Sequence, residues 1–262
     1  PITYVKWDFN RSICDKYSHA LPADRQGEMA HRFILGLYRV LETLTRDFPQ
    51  VLFEGCSGGG GRFDAGMLYY TPQIWCSDDT DAIERLQIQY GTSFGYPVSA
   101  MGAHVSAVPN HQTGRMTPLS TRGCVAMAGT FGYELDLNKL TEEEKEEISG
   151  QIRTFKEFYD CIQYGDYYRL TSPLSGSCTV WETVAPDASE ALVSAVYHHV
   201  QANPVPVYVK LRGLEEKASY RLSLVGKEEE MTLSGAALMH AGLPIPPAKG
   251  DYCAWQIHLV RI

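Results

Sequence analysis

Over residues 1–165 short apolar runs alternate with helix-length amphipathic stretches, and near residue 165 that alternation gives way to a period of two. "TYVKWDF" (3–9) reads as a strand. "GEMAHRFILGLYRVLETLTRDFP" (27–49) reads as a helix with Met29, Phe33, Leu37, Val40, Leu41 and Leu44 on one face and Pro49 as its stop. "VLFEGC" (51–56) and "QIWCS" (73–77) are short buried strands, "DAIERLQIQYG" (81–91) is a helix, and "GAHVSAV" (102–108) and "CVAMAGTFG" (124–132) are two more strands. "LTEEEKEEISGQIRTFKEFYDCIQYG" (140–165) reads as one long helix opened by a Thr141/Glu144 capping box. Strands separated by helices pair in parallel, because a helical crossover returns the chain to the same end of the sheet.

From residue 166 the pattern is that of an antiparallel β-domain, a sandwich, with strands at 166–170, 178–186, 190–200, 205–214, 218–226 and 253–262. The expected architecture is therefore α/β over residues 1–165 and all-β over 166–262.

Charge and cysteines narrow the function. The net charge is -8 and "TEEEKEE" (141–147) is the one charge run, so no basic face is available for tracking phosphates and no nucleic-acid partner is expected. No apolar run approaches the roughly 18 residues of a membrane span. Seven cysteines stand singly, with no paired metal-ligand spacing, which fits a reduced, cytoplasmic compartment and neither a metal nor a disulfide framework. No signal peptide pattern is visible, and the chain starts inside a strand pattern without an initiator Met, as a fragment would.

In parallel α/β sheets functional side chains gather where strands end. Three strand ends qualify. In "VKWDFN", Lys6, Asp8 and Asn10 fall two apart and share one side, opposite Trp7 and Phe9. They either face a cavity or form a surface Lys6–Asp8 pair on an edge strand. "CSGGGGRFD" (56–64) lets backbone approach a ligand closely; a phosphate loop is disfavoured by the missing Gly-Lys-Ser/Thr ending, and a flexible linker is the plain alternative. "WCSDDTDAIERL" (75–86) gathers Asp78, Asp79 and Asp81 before a helix, where caps account for one or two of them. Asp8 and Asp78 would face one mouth from different strands. Paired carboxylates are the equipment of glycoside hydrolysis, and Trp75 could carry a sugar ring. His111 is a candidate base, though His and Asn in such a loop more often satisfy backbone groups; His198 and His199 read as structural.

"YVKWDFNR" (4–11), "CSGGGGRFDAGMLYY" (56–70), "QIWCSDDTDAIERLQIQYGTSFGYP" (73–97) and "GAHVSAVPNHQTGR" (102–115) together resemble the α-galactosidases of glycoside hydrolase family 36, in order, through about the first 135 residues. The resemblance implies a (β/α)8 TIM barrel with a β-domain on either side. The chain would supply the barrel's second half, strands four to eight, followed by the C-terminal antiparallel β-sandwich. It implies a retaining mechanism without metal or cofactor on terminal α-linked galactose, as in melibiose and raffinose. By motif Asp8 matches the nucleophile and Asp78 the acid/base. Lys6 and Asn10 match sugar contacts, Cys56, Gly58 and Gly59 the loop shaping the pocket, and Trp75 a wall of it. Asp79 and Asp81 would start the helix behind Asp78. The early barrel strands, with a Trp and an acidic pair for the galactose hydroxyls, are not in the chain. The isolated chain is therefore expected to be inactive and to aggregate, to associate through open strand edges, or to require the N-terminal half; the full-length enzyme is expected to be a homo-oligomer. The alternatives are an α-N-acetylgalactosaminidase or galactosyl-transferring relative, or an inactive carbohydrate-binding fragment.

Overall fold

The computed structural model describes every residue except Pro1 and Ser12; the sequence "PITYVKWDFNRS" (1–12) reads as a strand and its following loop, and at those two positions that reading lies outside the described residues. Two compact units, residues 1–78 and 79–262, divide the chain.

The first unit is a run of β/α repeats: β1 (Tyr4–Trp7), a two-turn 3-10 segment (Ala23–Glu28), α1 (Met29–Asp47), β2 (Leu52–Gly55), α2 (Ala65–Tyr70) and β3 (Gln73–Trp75). β1 pairs in parallel with β2, setting Lys6 opposite Glu54, and β2 with β3, setting Glu54 opposite Gln73. Trp7, Leu37, Leu41, Met67 and Ile74 pack together on the helix side of these strands. The stripe on α1 is narrower than the sequence suggests, since Val40 is half exposed. It lies about 100° round the helix from the buried Leu41. β1 is also shorter than expected and ends at Trp7, which leaves Asp8 just beyond the strand. α2 was not anticipated; Asp64 caps it by accepting the Met67 amide at 2.9 Å.

The second unit opens with α3 (Ala82–Thr92), β4 (Met101–Gly102), β5 (His104–Ser106), α4 (Leu119–Ala126), β6 (Gly132–Glu134), α5 (Glu142–Glu157) and α6 (Tyr159–Tyr164). β5 and β6 pair in parallel. The strand expected at 124–132 is instead the end of α4 and a turn, with β6 starting only at Gly132. Almost every residue of α4 is buried, and an all-round apolar run carries no periodicity to tell helix from strand. The Thr141/Glu144 capping box is present, worth about 1 kcal/mol on the usual scale for a cap. The long helix it opens is divided in two at Phe158, which is buried against Ile162 and Leu192.

The rest of this unit is antiparallel: β7 (Asp166–Arg169), β8 (Cys178–Val184), β9 (Glu190–Tyr197), β10 (Tyr208–Val209), β11 (Ser219–Leu224), β12 (Glu230–Ser234), β13 (Leu243–Pro244) and β14 (Cys253–Arg261). Six of these form one sheet in the order β12-β11-β14-β9-β8-β7, and β10 pairs with β13 in a second layer. Between the layers lies the largest core, with Val180, Val193, Tyr220, Leu222 and Leu259 from the sheet and Val209, Leu211, Leu238 and Leu243 from the other side. The opposite face of the sheet, at Trp181 and Val196, packs on Leu86, Cys124 and Val125 of α3 and α4. The expected strand at 205–214 shrinks to two residues. Pro204 and Pro206 lack the N–H that a ladder needs, and Gly213 turns the chain at a φ of 70°. β12 and β13 were not anticipated.

Candidate active site at the strand ends

The carboxyl ends of β1, β2 and β3 bring together Asp8, the loop after Gly55, and Asp78. Asp8 follows β1 and is exposed. The Cys56 thiol and the Asn10 amide (2.7 Å) donate hydrogen bonds to its carboxylate, and the Gly58 N–H approaches at 3.5 Å. Those donors, Cys56 foremost, hold the Asp8 pKa below the usual carboxylate range. Cys56 is 4% exposed; burial pushes its thiol pKa up, the Gly59 N–H opposes that, and neighbouring Asp8 adds to it. The thiol is thus kept as a neutral donor beside an anionic acceptor.

Ser57, Gly58, Gly59 and Gly60 all adopt positive φ, and this left-handed run folds the loop between Asp8 and the segment that carries Asp78. Gly59 lies directly against the Ser77–Asp78 backbone. Trp75, 3% exposed, donates its indole N–H to the Asp78 carboxylate at 3.1 Å. The Lys6 ammonium stands 4.7 Å from the centre of the Trp75 ring and 3.7 Å from Glu54 Oε1. Lys6, Asp8, Asn10, Cys56, Gly58, Gly59, Trp75 and Asp78 all therefore belong to one cluster of strand ends in the first unit.

The second and third acids of "SDDTD" do what helix starts require. Asp81 caps α3, accepting the Ile83 and Glu84 amides, while Asp79 accepts the Asp81 amide at 3.1 Å. Burial works to raise the Asp81 pKa, but Thr113, the Ile83 amide and Arg115 at 2.5 Å outweigh it and hold it low. His111 is exposed, and in its loop Asn110 does the holding, accepting the Gln112 and Thr113 amides. In the β-domain, His198 bonds Thr179 at 3.1 Å and His199 faces Asp251 at 3.7 Å. Among the described residues no three His, Cys, Asp or Glu side chains are placed to hold a metal ion.

Two residues escaped the sequence reading. Arg62 donates to the Phe9 carbonyl (2.6 Å), the Ser57 hydroxyl (2.7 Å) and the Arg11 carbonyl (3.2 Å), tying the glycine loop to the segment just after Asp8. Glu54, 2% exposed, lies at the centre of the strand cluster. Its signal was an acid inside the apolar run "VLFEGC".

The Melibiase family model matches residues 1–165 and that of the glycosyl hydrolase family 36 C-terminal domain matches residues 178–259. The bifunctional α-galactosidase/sucrose kinase AgaSK of Mediterraneibacter gnavus is 54% identical over the whole chain, which covers 27% of that protein. α-Galactosidase AgaA of Geobacillus stearothermophilus is 51% identical, again over the whole chain and 35% of the relative. Crystal structures of AgaA variants in complex with raffinose and with stachyose superpose with a TM-score of 0.95, at 50% and 51% identity, over the whole chain and 36% of each. The fold is thus that of the second half of a (β/α)8 barrel followed by an antiparallel β-sandwich. The chain belongs to the melibiase family, glycosyl hydrolase family 36, and spans about a third of the length of the relatives it matches.

Proposed function

We propose that the chain is the carboxyl-terminal part of a retaining α-galactosidase, with residues 1–165 as the second half of its catalytic barrel and 166–262 as its β-sandwich domain. The observation that carries the reading is the Asp8 carboxylate, held anionic by Cys56 and Asn10 and joined through the glycine loop to Asp78. In this reading an Asp8 oxygen attacks the anomeric carbon while the bond to the leaving oxygen breaks and Asp78 gives that oxygen its proton. A galactosyl ester of Asp8 results. Asp78, now a carboxylate, takes a proton from water as the water oxygen attacks the anomeric carbon and Asp8 leaves. Retention requires the two carboxyl groups about 5–5.5 Å apart. Lys6 and Asn10 supply hydrogen-bond donors to the sugar, Cys56, Gly58 and Gly59 shape the pocket around it, and Trp75 gives an apolar wall.

The ligands of the AgaA complexes, raffinose and stachyose, point to terminal α-galactose on an oligosaccharide. The aspartates replaced in those two complexes stand seventy positions apart in that enzyme, as Asp8 and Asp78 do here, which supports their assignment as the working pair. The seven free cysteines fit a cytoplasmic protein, and a homo-oligomer is the expected assembly of the full-length gene product. No helix among the described residues is long and apolar enough to cross a membrane.

The test is the full-length gene product on a nitrophenyl α-galactoside, with the anomer of galactose followed by proton NMR. α-Galactose should appear first and mutarotate later. β-Galactose appearing first would replace retention by inversion; turnover of the N-acetylgalactosaminide but not the galactoside would replace the substrate.

A further inference from the structure

Glu54 is a carboxylate in the middle of a parallel sheet, and its surroundings are unequal on its two oxygens. Oε2 accepts the Gln73 amide at 3.2 Å and the Tyr4 hydroxyl. Oε1 accepts no hydrogen bond among the described residues and faces the Lys6 ammonium at 3.7 Å. A buried carboxylate costs several kcal/mol unless charge and hydrogen bonds offset the lost hydration. Gln73 and Tyr4 meet half of that need. Among the described residues the other half is met only by the ammonium.

The separation matters for what Lys6 can do. At 3.7 Å the pair attracts strongly but lies beyond hydrogen-bond distance, so the three N–H donors of the ammonium are not consumed by Glu54. The register makes this arrangement rigid. Lys6 and Glu54 are direct partners on β1 and β2, and Glu54 and Gln73 on β2 and β3, so backbone ladders fix all three positions. Trp75, two residues beyond Gln73 on β3, places its ring 4.7 Å from the ammonium. The same indole donates to Asp78.

We infer that Glu54 is a positioning residue for the galactoside site: it holds the Lys6 ammonium on the Trp75 face with its donors free for the sugar. It acts through Lys6 and does not itself touch substrate. The inference rests on the α-galactosidase reading above. Glu54→Gln keeps the shape and an acceptor oxygen but removes the charge that attracts Lys6.

The experiment is a double-mutant cycle in the full-length gene product, with Glu54→Gln, Lys6→Met and the two combined. It measures kcat/KM on a nitrophenyl α-galactoside and galactose affinity by calorimetry, with the thermal midpoint of each variant alongside. Glu54→Gln alone should lower kcat/KM and galactose affinity by about tenfold or more with the midpoint little changed. In the Lys6→Met background the same substitution should cost less than twofold. An equal loss in both backgrounds, or a loss that follows the midpoint alone, makes Glu54 merely structural and overturns the inference. So does full activity of Glu54→Gln. If Glu54→Gln does not fold, Glu54→Asp, which keeps the charge but retracts it, is put through the same cycle; failure of both to fold also overturns it. A wild-type protein that neither binds galactose nor turns over the galactoside brings down the functional reading itself, a result separable from uncoupled variants of an active enzyme.

Discussion

Gly59 lies so close to Asp78 that a methyl group on its Cα would come within 2.3 Å of the Asp78 amide nitrogen. Gly58, its neighbour, has a comparable φ, yet among the described residues a methyl there would meet only Asn10 Oδ1 at an ordinary 3.7 Å. Any L-residue at either position carries the left-handed penalty, roughly 1–2 kcal/mol. Only at Gly59 must backbone also move. Gly59→Ala should therefore lower thermal stability more than Gly58→Ala, and should cut kcat/KM further by displacing the segment that carries Asp78. Thermal midpoints and kinetics of the two variants check this; equal effects would mean that the loop yields without moving Asp78.

The two aspartates should fail differently. Asp8→Ala removes the proposed nucleophile and should abolish turnover of every galactoside while the fold persists. Asp78→Ala removes a proton donor, and general acid catalysis is typically worth roughly 10²–10⁴-fold. A dinitrophenyl galactoside needs little protonation of its leaving group, so its galactosylation step should suffer far less than that of raffinose. Equal losses on the two substrates would remove Asp78 from the acid role.

Cys56 bears on the pH profile through Asp8. Its thiol is the foremost cause of the low Asp8 pKa. Removing that donor lets the Asp8 pKa rise, so the acidic limb of kcat/KM against pH should move to higher pH in Cys56→Ala. Cys56→Ser, which keeps a donor, should shift it less. The pH profiles of the three proteins decide, and an unmoved acidic limb in Cys56→Ala would confine the thiol to shaping the pocket.

The parallel-then-antiparallel plan was legible because half-buried strands and helices print their periods on the sequence, and "KWD", "CSGGGG" and "SDDTD" were legible because strand ends collect polar residues in an otherwise apolar context. α4 was not legible. Buried on all sides, its "CVAMA" stretch has no polar face to mark a turn of helix. Asp81 could be read as a cap from local chemistry alone, and it is one. Glu54 and Arg62 could not be given roles from spacing, because what each does depends on strands and loops about twenty to fifty residues away.

The β-domain buries a second carboxylate whose titration should be felt in stability. Glu182 on β8 is fully buried; its Oε1 accepts the Arg212 amide at 2.6 Å, and Oε2 accepts no hydrogen bond among the described residues. Burial pushes its pKa up to about 8, against the opposing pull of the Arg212 amide and charge. Tyr168, itself shifted upward mainly by burial, stands near enough to feel the Glu182 charge. The folded form thus holds a proton that the unfolded chain releases at an ordinary glutamate pKa. The sign follows from linkage: between about pH 4.5 and pH 8 the native state binds more protons, so this group's contribution to stability is complete at the acidic end and is lost as pH rises. On the usual scale the loss is on the order of a few kcal/mol. Glu182→Gln keeps an acceptor for the Arg212 amide and cannot ionise. Its advantage over the wild type should grow steadily from pH 5 to pH 8. Amide hydrogen exchange in residues 209–214, compared between the two proteins at each pH, reads the effect locally. Protection ratios that stay constant across that range would show that Glu182 does not carry the pH dependence.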